Sequence, residues 1–107
     1  GSVSCATCHQ PSEGWSDARP VAEGLGVGRR NAPTLLGVAE QRWLFWDGRA
    51  LDLETQVRAS WSNPIEMAAD PAQTARQLAS VSGYAPLFDE AYGDAEVTVG
   101  EGVGHFC

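Results

Sequence analysis

Two cysteines and a histidine stand in close order near the start of the chain: Cys5, Cys8 and His9 lie within SVSCATCHQP. Two thiols three residues apart, followed at once by an imidazole, suit three chemistries. They could anchor a c-type haem, contribute to a zinc site or form a redox dithiol. In the first, both thiols on one turn add to the vinyl groups of a porphyrin, and the next residue offers an imidazole nitrogen to the iron. Zinc would need Cys5 and Cys8 with His105 and Cys107, whose H-x-C spacing is tighter than usual, and it leaves His9 without a role. A redox dithiol calls for a βαβ setting that this chain lacks. Haem accounts for all three residues, and the spacing favours it. Of the three cysteines, Cys107 is then left over.

The elements that must position this motif are few, because 107 residues make one small domain. A chain of that size buries only roughly 60–65% of its unfolded surface, so a bound prosthetic group adds apolar area that the core lacks. With 14 acidic and 7 basic side chains the formal charge is −7. That balance excludes a phosphate-backbone binder, which needs clustered Lys and Arg, and leaves room for a basic protein partner. No apolar run approaches the roughly 18–20 residues of a membrane span. Nor is there a charged-then-apolar leader, so any such peptide is expected to have been removed or left out.

Residues 10–31 are rich in Gly, Pro, Ser and charge, and read as a long loop wrapping a flat ligand. From Pro33 the pattern turns helical: Leu35, Ala39 and Trp43 recur every four residues, beside Leu36 and Leu44, and the helix is expected to end at Asp47-Gly48. A second helix begins at Asp52, carries Leu53, Val57 and Trp61 on its apolar stripe and stops at Asn63-Pro64. The third has Asp70 as N-cap, Pro71 at its first position, Gln73 as capping partner and Gly83 beyond its end. A short helix follows from Pro86 to Tyr92, closed by Gly93, and only EVTV at 96–99 alternates like a strand. The expected fold is mostly α: a single cytochrome c-like haem domain, residues 1–94, with long haem-wrapping loops, then an irregular tail, 95–107. Of the four tryptophans, Trp15 and Trp46 are expected to line the haem, and Trp43 and Trp61 to be core.

Four motifs in order carry a resemblance: SCATCH, RNAPTLLGVA at 30–39, FWDGRALDLETQ at 45–56 and NPIEM at 63–67. Together they closely resemble the N-terminal, peroxide-reducing haem domain of the bacterial dihaem cytochrome c peroxidases, over about residues 1–94. The resemblance implies one haem c bound through Cys5 and Cys8, with His9 as proximal iron ligand. It implies that Glu66 is the distal acid–base, with Gln56 beside it orienting peroxide, and that Trp46 assists electron passage between two haems. Asn31 resembles a calcium ligand at the interface with a second haem domain. Arg30 is further expected to hold a haem propionate. Breaking a peroxide O–O bond needs a proton carried from one oxygen to the other, and a carboxylate within hydrogen-bond reach suits that task.

Two departures from the family pattern matter. Many members carry a distal histidine in the loop corresponding to residues 20–29, whereas here PVAEGLGVGR has none and Leu25 falls near that place. An open distal iron site, with no reductive gate, is therefore expected. The family also has a helix before the haem motif, another closing this domain and a second haem domain, so the chain reads as a truncated piece or one relying on a partner.

The leading functional expectation is a peroxidase-type oxidoreductase, reducing hydrogen peroxide with electrons from a small cytochrome c or cupredoxin. The alternative is a monohaem electron carrier ligated by His9 and Met67, which would close the site to peroxide. His105, the only histidine besides His9, could upset the open site by folding back. Haem c attachment implies export, hence a periplasmic location in a Gram-negative bacterium.

Overall fold

The computed structural model describes residues 2–92, and every regular element among them is helical. The expected tail, the EVTV stretch, Gly93, His105 and Cys107 lie outside the described residues. A single turn, α1 (Cys5–Cys8), precedes a long irregular region, and α2 (Leu53–Ser62), α3 (Pro71–Ala79) and α4 (Ala85–Tyr92) follow.

The three later helices form where local chemistry places them. Asp52 accepts from the Thr55 amide at 2.7 Å and starts α2, which Asn63-Pro64 ends. Asp70 accepts from the Ala72 and Gln73 amides, at 2.9 and 3.2 Å, and Pro71 takes the first position of α3, where its missing N–H costs nothing. The helix stops at Ala79 rather than running to Gly83, with Ser80 as its C-cap, whose hydroxyl donates to the Gln77 carbonyl at 2.6 Å. α4 begins at Ala85, one residue before the expected Pro86. Between α2 and α3 sits the apolar contact that joins them: Trp61 and Ala75 are buried, with Met67 and Ala69 packed against them.

The helix expected from Pro33 to Gly48 does not form. Only a 3-10 turn, Val38–Glu40, appears there. Thr34 Oγ1 captures the Leu36 amide at 3.1 Å, the Leu35 amide bonds to Trp15 O at 3.2 Å, and Gly37 turns left-handed at φ 68°. Each diverts a bond or a dihedral that an α-helix needs. The period-four stripe therefore shares no face. Trp43, expected as core, is 62% exposed, whereas Trp61 is buried as expected.

What replaces the helix is a set of tight reversals. Leu44 and Ala50 pair across the FWDGR turn, with Phe45 and Gly48 both at positive φ, and both bridge residues are buried. Gln10 pairs with Ser16 and Glu23 with Val27 in the same antiparallel manner. The wrapping loop is thus ordered by main-chain bonds rather than by regular structure. No helix among the described residues is long and apolar enough to cross a membrane.

Candidate functional site

The motif turn holds Cys5, Cys8 and His9 close together. Cys5 and Cys8 open and close α1, both half-buried and neither in a disulfide, and the His9 amide returns to Cys5 O at 2.9 Å. His9 Nδ1 lies 3.1 Å from the carbonyl oxygen of Trp15. A carbonyl only accepts, so Nδ1 carries the proton and Nε2 keeps its lone pair for a metal. Trp15 reaches this position through a left-handed backbone, φ 60°, uncommon for a bulky residue. These residues fit a haem iron ligand. Cys8 Sγ meets Glu23 O at 3.7 Å. Burial, followed by the charges of Asp17 and Glu66, pushes the Cys8 thiol up, so it stays protonated at neutral pH.

The loop after that turn connects it to the NPIEM segment. The Leu25 amide donates to Glu66 O at 3.0 Å and the Gly26 amide to Ile65 O at 2.8 Å. Residue 24 must be glycine, since a β-carbon there would lie 2.6 Å from Glu66 O. Glu66 is half-buried, and its Oε1 accepts from Asn63 Nδ2 at 2.8 Å. Gln56, expected beside it, instead donates to Ser60 Oγ at 3.3 Å along α2, and no hydrogen bond joins Gln56 to Glu66 among the described residues. The partner of an α2 side chain one turn on is the nearer one, and it wins. Met67, one residue on from Glu66, packs against the Trp61–Ala75 contact.

On another part of the loop region, Trp46 is 62% exposed and donates Nε1–H to Asn31 O at 2.8 Å. Trp46 and Asn31 both line a cleft of about 380 Å³, with Ser16, Pro33, Thr34, Gln41 and Phe45. The Asn31 side-chain nitrogen donates to Asp17 Oδ1, to Asp17 O at 3.2 Å and to Arg19 O at 2.9 Å. Asp17 is buried, and its other carboxylate oxygen, Oδ2, has no hydrogen-bond partner among the described residues. The orphaned carboxylate oxygen is a hard donor of the kind calcium takes, while Asn31 turns its amide nitrogen rather than its oxygen towards Asp17. Arg30, expected on a propionate, pairs with Asp47 Oδ2 at 2.9 Å, while Arg49 takes Oδ1 at 2.8 Å and stacks over the Phe45 ring. The Arg30 guanidinium, then Arg49, holds the Asp47 carboxyl down at about 2. Among the described residues no three His, Cys, Asp or Glu side chains converge on one point.

Three contributions to the site escaped sequence reasoning: Gly24 gives a missing β-carbon, Asp17 a buried charge and Asn63 an amide on the acid. Trp15, expected to line the haem, contributes a carbonyl instead. Only Asn63 carried a usable signal, three residues before Glu66 in one turn-forming Asn-Pro stretch.

A Cys-x-x-Cys-His turn, a wrapping loop and a half-buried glutamate whose backbone is bonded to that loop are the arrangement a c-type haem site with an acid–base group would need. Comparison with known proteins narrows the class. The family model for di-haem cytochrome c peroxidase matches residues 1–106. The chain is 46% identical to the methylamine utilization protein MauG of Methylorubrum extorquens, over 90% of this chain and 28% of that protein. It is 36% identical to the cytochrome c551 peroxidase of Pseudomonas aeruginosa, over 84% of this chain and 27% of that protein. The cytochrome c551 peroxidase of Nitrosomonas europaea matches at 36%, over 92% of this chain and 30% of the relative. The chain belongs to the di-haem cytochrome c peroxidase family, a family of haem-dependent oxidoreductases. It spans less than a third of the length of these relatives.

Proposed function

We propose that this chain is a cytochrome c-like peroxidatic haem domain that reduces hydrogen peroxide to water. The observation that carries the reading is the division of roles within NPIEM. Glu66 is held against the loop that contacts Cys8, while Met67 is packed into the α2–α3 contact. The arrangement favours an acid–base group at the site over a methionine ligand, and so peroxide reduction over simple electron carriage.

Cys5 and Cys8 would hold one haem c by thioether bonds, and His9 would bind its iron through Nε2. Bound there, haem supplies a metal centre for peroxide and for the electrons that cleave its O–O bond. The chain supplies the rest. Trp15 O keeps the His9 imidazole in the tautomer that can ligate. Glu66 accepts a proton from one peroxide oxygen and returns it to the other, so that two electrons and two further protons give two waters. Gln56 orients peroxide after a rotamer change away from Ser60.

Trp46, exposed beside the cleft, passes electrons from a second haem domain. Asn31, with Asp17 next to it, holds calcium at that interface. Arg30 neutralises a propionate only by leaving Asp47. Electrons come from a small cytochrome c or cupredoxin, and the protein works in the periplasm. The distal side stays open, since His9 is the only histidine through residue 104.

The test is a pair of measurements on haem-loaded protein. A high-spin ferric spectrum and a Glu66→Gln variant that reacts with peroxide about 10²–10⁴-fold more slowly are expected. A methionine–iron charge-transfer band, or a Glu66→Gln variant as fast as its parent, would establish the electron carrier instead.

A further inference from the structure

Asn63 sits at the C-terminal end of α2, and both ends of its side-chain amide are engaged. Nδ2 donates to Glu66 Oε1 at 2.8 Å, and Oδ1 accepts from the Ile65 amide at 3.2 Å. The orientation of the amide follows from its partners, because a carboxylate can only accept and a backbone N–H can only donate. The main chain closes the same turn: the Glu66 and Ala68 amides donate to Asn63 O, at 3.0 and 2.9 Å. Glu66 is thus fixed along its backbone from two sides, by Asn63 O at its amide and by Leu25 N at its carbonyl. Only its side-chain torsions remain, and the Asn63 amide restrains those.

We propose that Asn63 is a positioning residue for Glu66. It tethers Oε1 and leaves Oε2 as the oxygen that takes and returns the proton. This rests on the reading of Glu66 as the acid–base group. The tether matters because a flexible carboxylate samples many rotamers, and a displacement of about 1 Å at a reacting group can cost up to about 10²-fold in rate. The partners of the Asn63 side-chain amide are Glu66 and the Ile65 backbone, so its whole effect is assigned to Glu66.

The bland alternative is that Asn63 only caps the turn through Oδ1. Asn63→Asp separates the two roles in the haem-loaded full chain. Aspartate keeps the acceptor for the Ile65 amide and is as good a turn former, but replaces the donor facing Glu66 with an acceptor. Positioning predicts that kcat falls roughly 10- to 10²-fold, with KM for peroxide changed less than about twofold. In a Glu66→Gln background the same substitution should cost nothing further, since the glutamine amide can donate to the new carboxylate.

A second readout does not use turnover. In the ferrous carbon-monoxide form, the Asn63 side-chain amide protons are followed by NMR. One of them should lie downfield and move upfield in Glu66→Ala. If Asn63→Asp keeps the parental kcat while Glu66→Gln is slow, the positioning role is overturned and the acid–base reading stands. If Glu66→Gln is as fast as the parent, both fall. Should Asn63→Asp fail to fold, amide protons that do not respond to Glu66→Ala overturn the tether on their own.

Discussion

A β-carbon on Gly24 would stand 2.6 Å from the carbonyl oxygen of Glu66 and 2.9 Å from its Cα. The wrapping loop and the acid's backbone are therefore at a separation that glycine alone permits. Gly24→Ala must push one away from the other. The expected result is a loss of about 1–3 kcal/mol in stability, with slower reaction with peroxide. Gly83, whose β-carbon would meet nothing within 4 Å, is the control. Urea unfolding and stopped-flow mixing of both alanine variants check this, and equal behaviour would remove the constraint.

Met67 packs on Trp61 and Ala75, so Met67→Ala should behave as a core truncation. A destabilisation of about 2 kcal/mol is expected, with the haem absorption spectrum unchanged in the folded protein. A change of spin state would place the sulfur on the iron and reverse the assignment.

Asp47 gives a pH signature. Its carboxyl is held at about 2, below its ordinary 3.8, by Arg30 and Arg49. The folded state thus binds this proton less readily than the unfolded chain. The associated stability is complete above the ordinary value and is lost as pH falls through about 2. Asp47→Asn should be less stable than the parent at neutral pH, and the gap should close towards pH 2. Denaturant midpoints at several pH values measure it. The gap should also shrink in high salt, because all three side chains are exposed.

Asp70 caps α3 through two backbone amides. Asp70→Ala should cost about 1 kcal/mol, and Asp70→Asn much less, by thermal unfolding. Equal losses would mean that the charge, rather than the acceptor, does the capping.

Legibility in the sequence followed the range of the physics. The α3 start was readable because Asp70 and Pro71 act within one turn. The stop of α2 at Asn63-Pro64 was readable for the same reason, as was the motif turn at Cys5, Cys8 and His9. Residues 33–48 misled, because apolar spacing suggested a helix while Thr34, Gly37 and Phe45 decided otherwise. Thr34 works through a hydroxyl on the Leu36 amide, and Phe45 through a positive φ that no composition rule anticipates. The Gly24–Glu66 contact joins residues 42 positions apart, as the numbering itself shows, and nothing local marks it. Gln56 was assigned by resemblance and Arg30 by a separate inference, and in the fold each engages a side chain that neither reading anticipated, Ser60 and Asp47.

The loop over residues 22–28 is held by main-chain groups. Ala22 N bonds to Arg30 O, Gly28 N to Ala22 O, Gly24 N to Gly26 O, and the Leu25 and Gly26 amides to the NPIEM backbone. None of these bonds involves the side chains of Leu25 or Val27, which are 51% and 64% exposed. The scaffold is thus indifferent to what those two positions carry. A single-nucleotide exchange turns some leucine codons into histidine codons, and at position 25 such an exchange would place an imidazole on the loop without rebuilding it. Under the proposed function, gating of the iron becomes a property that one substitution at position 25 can add or remove, while the backbone beneath it stays the same.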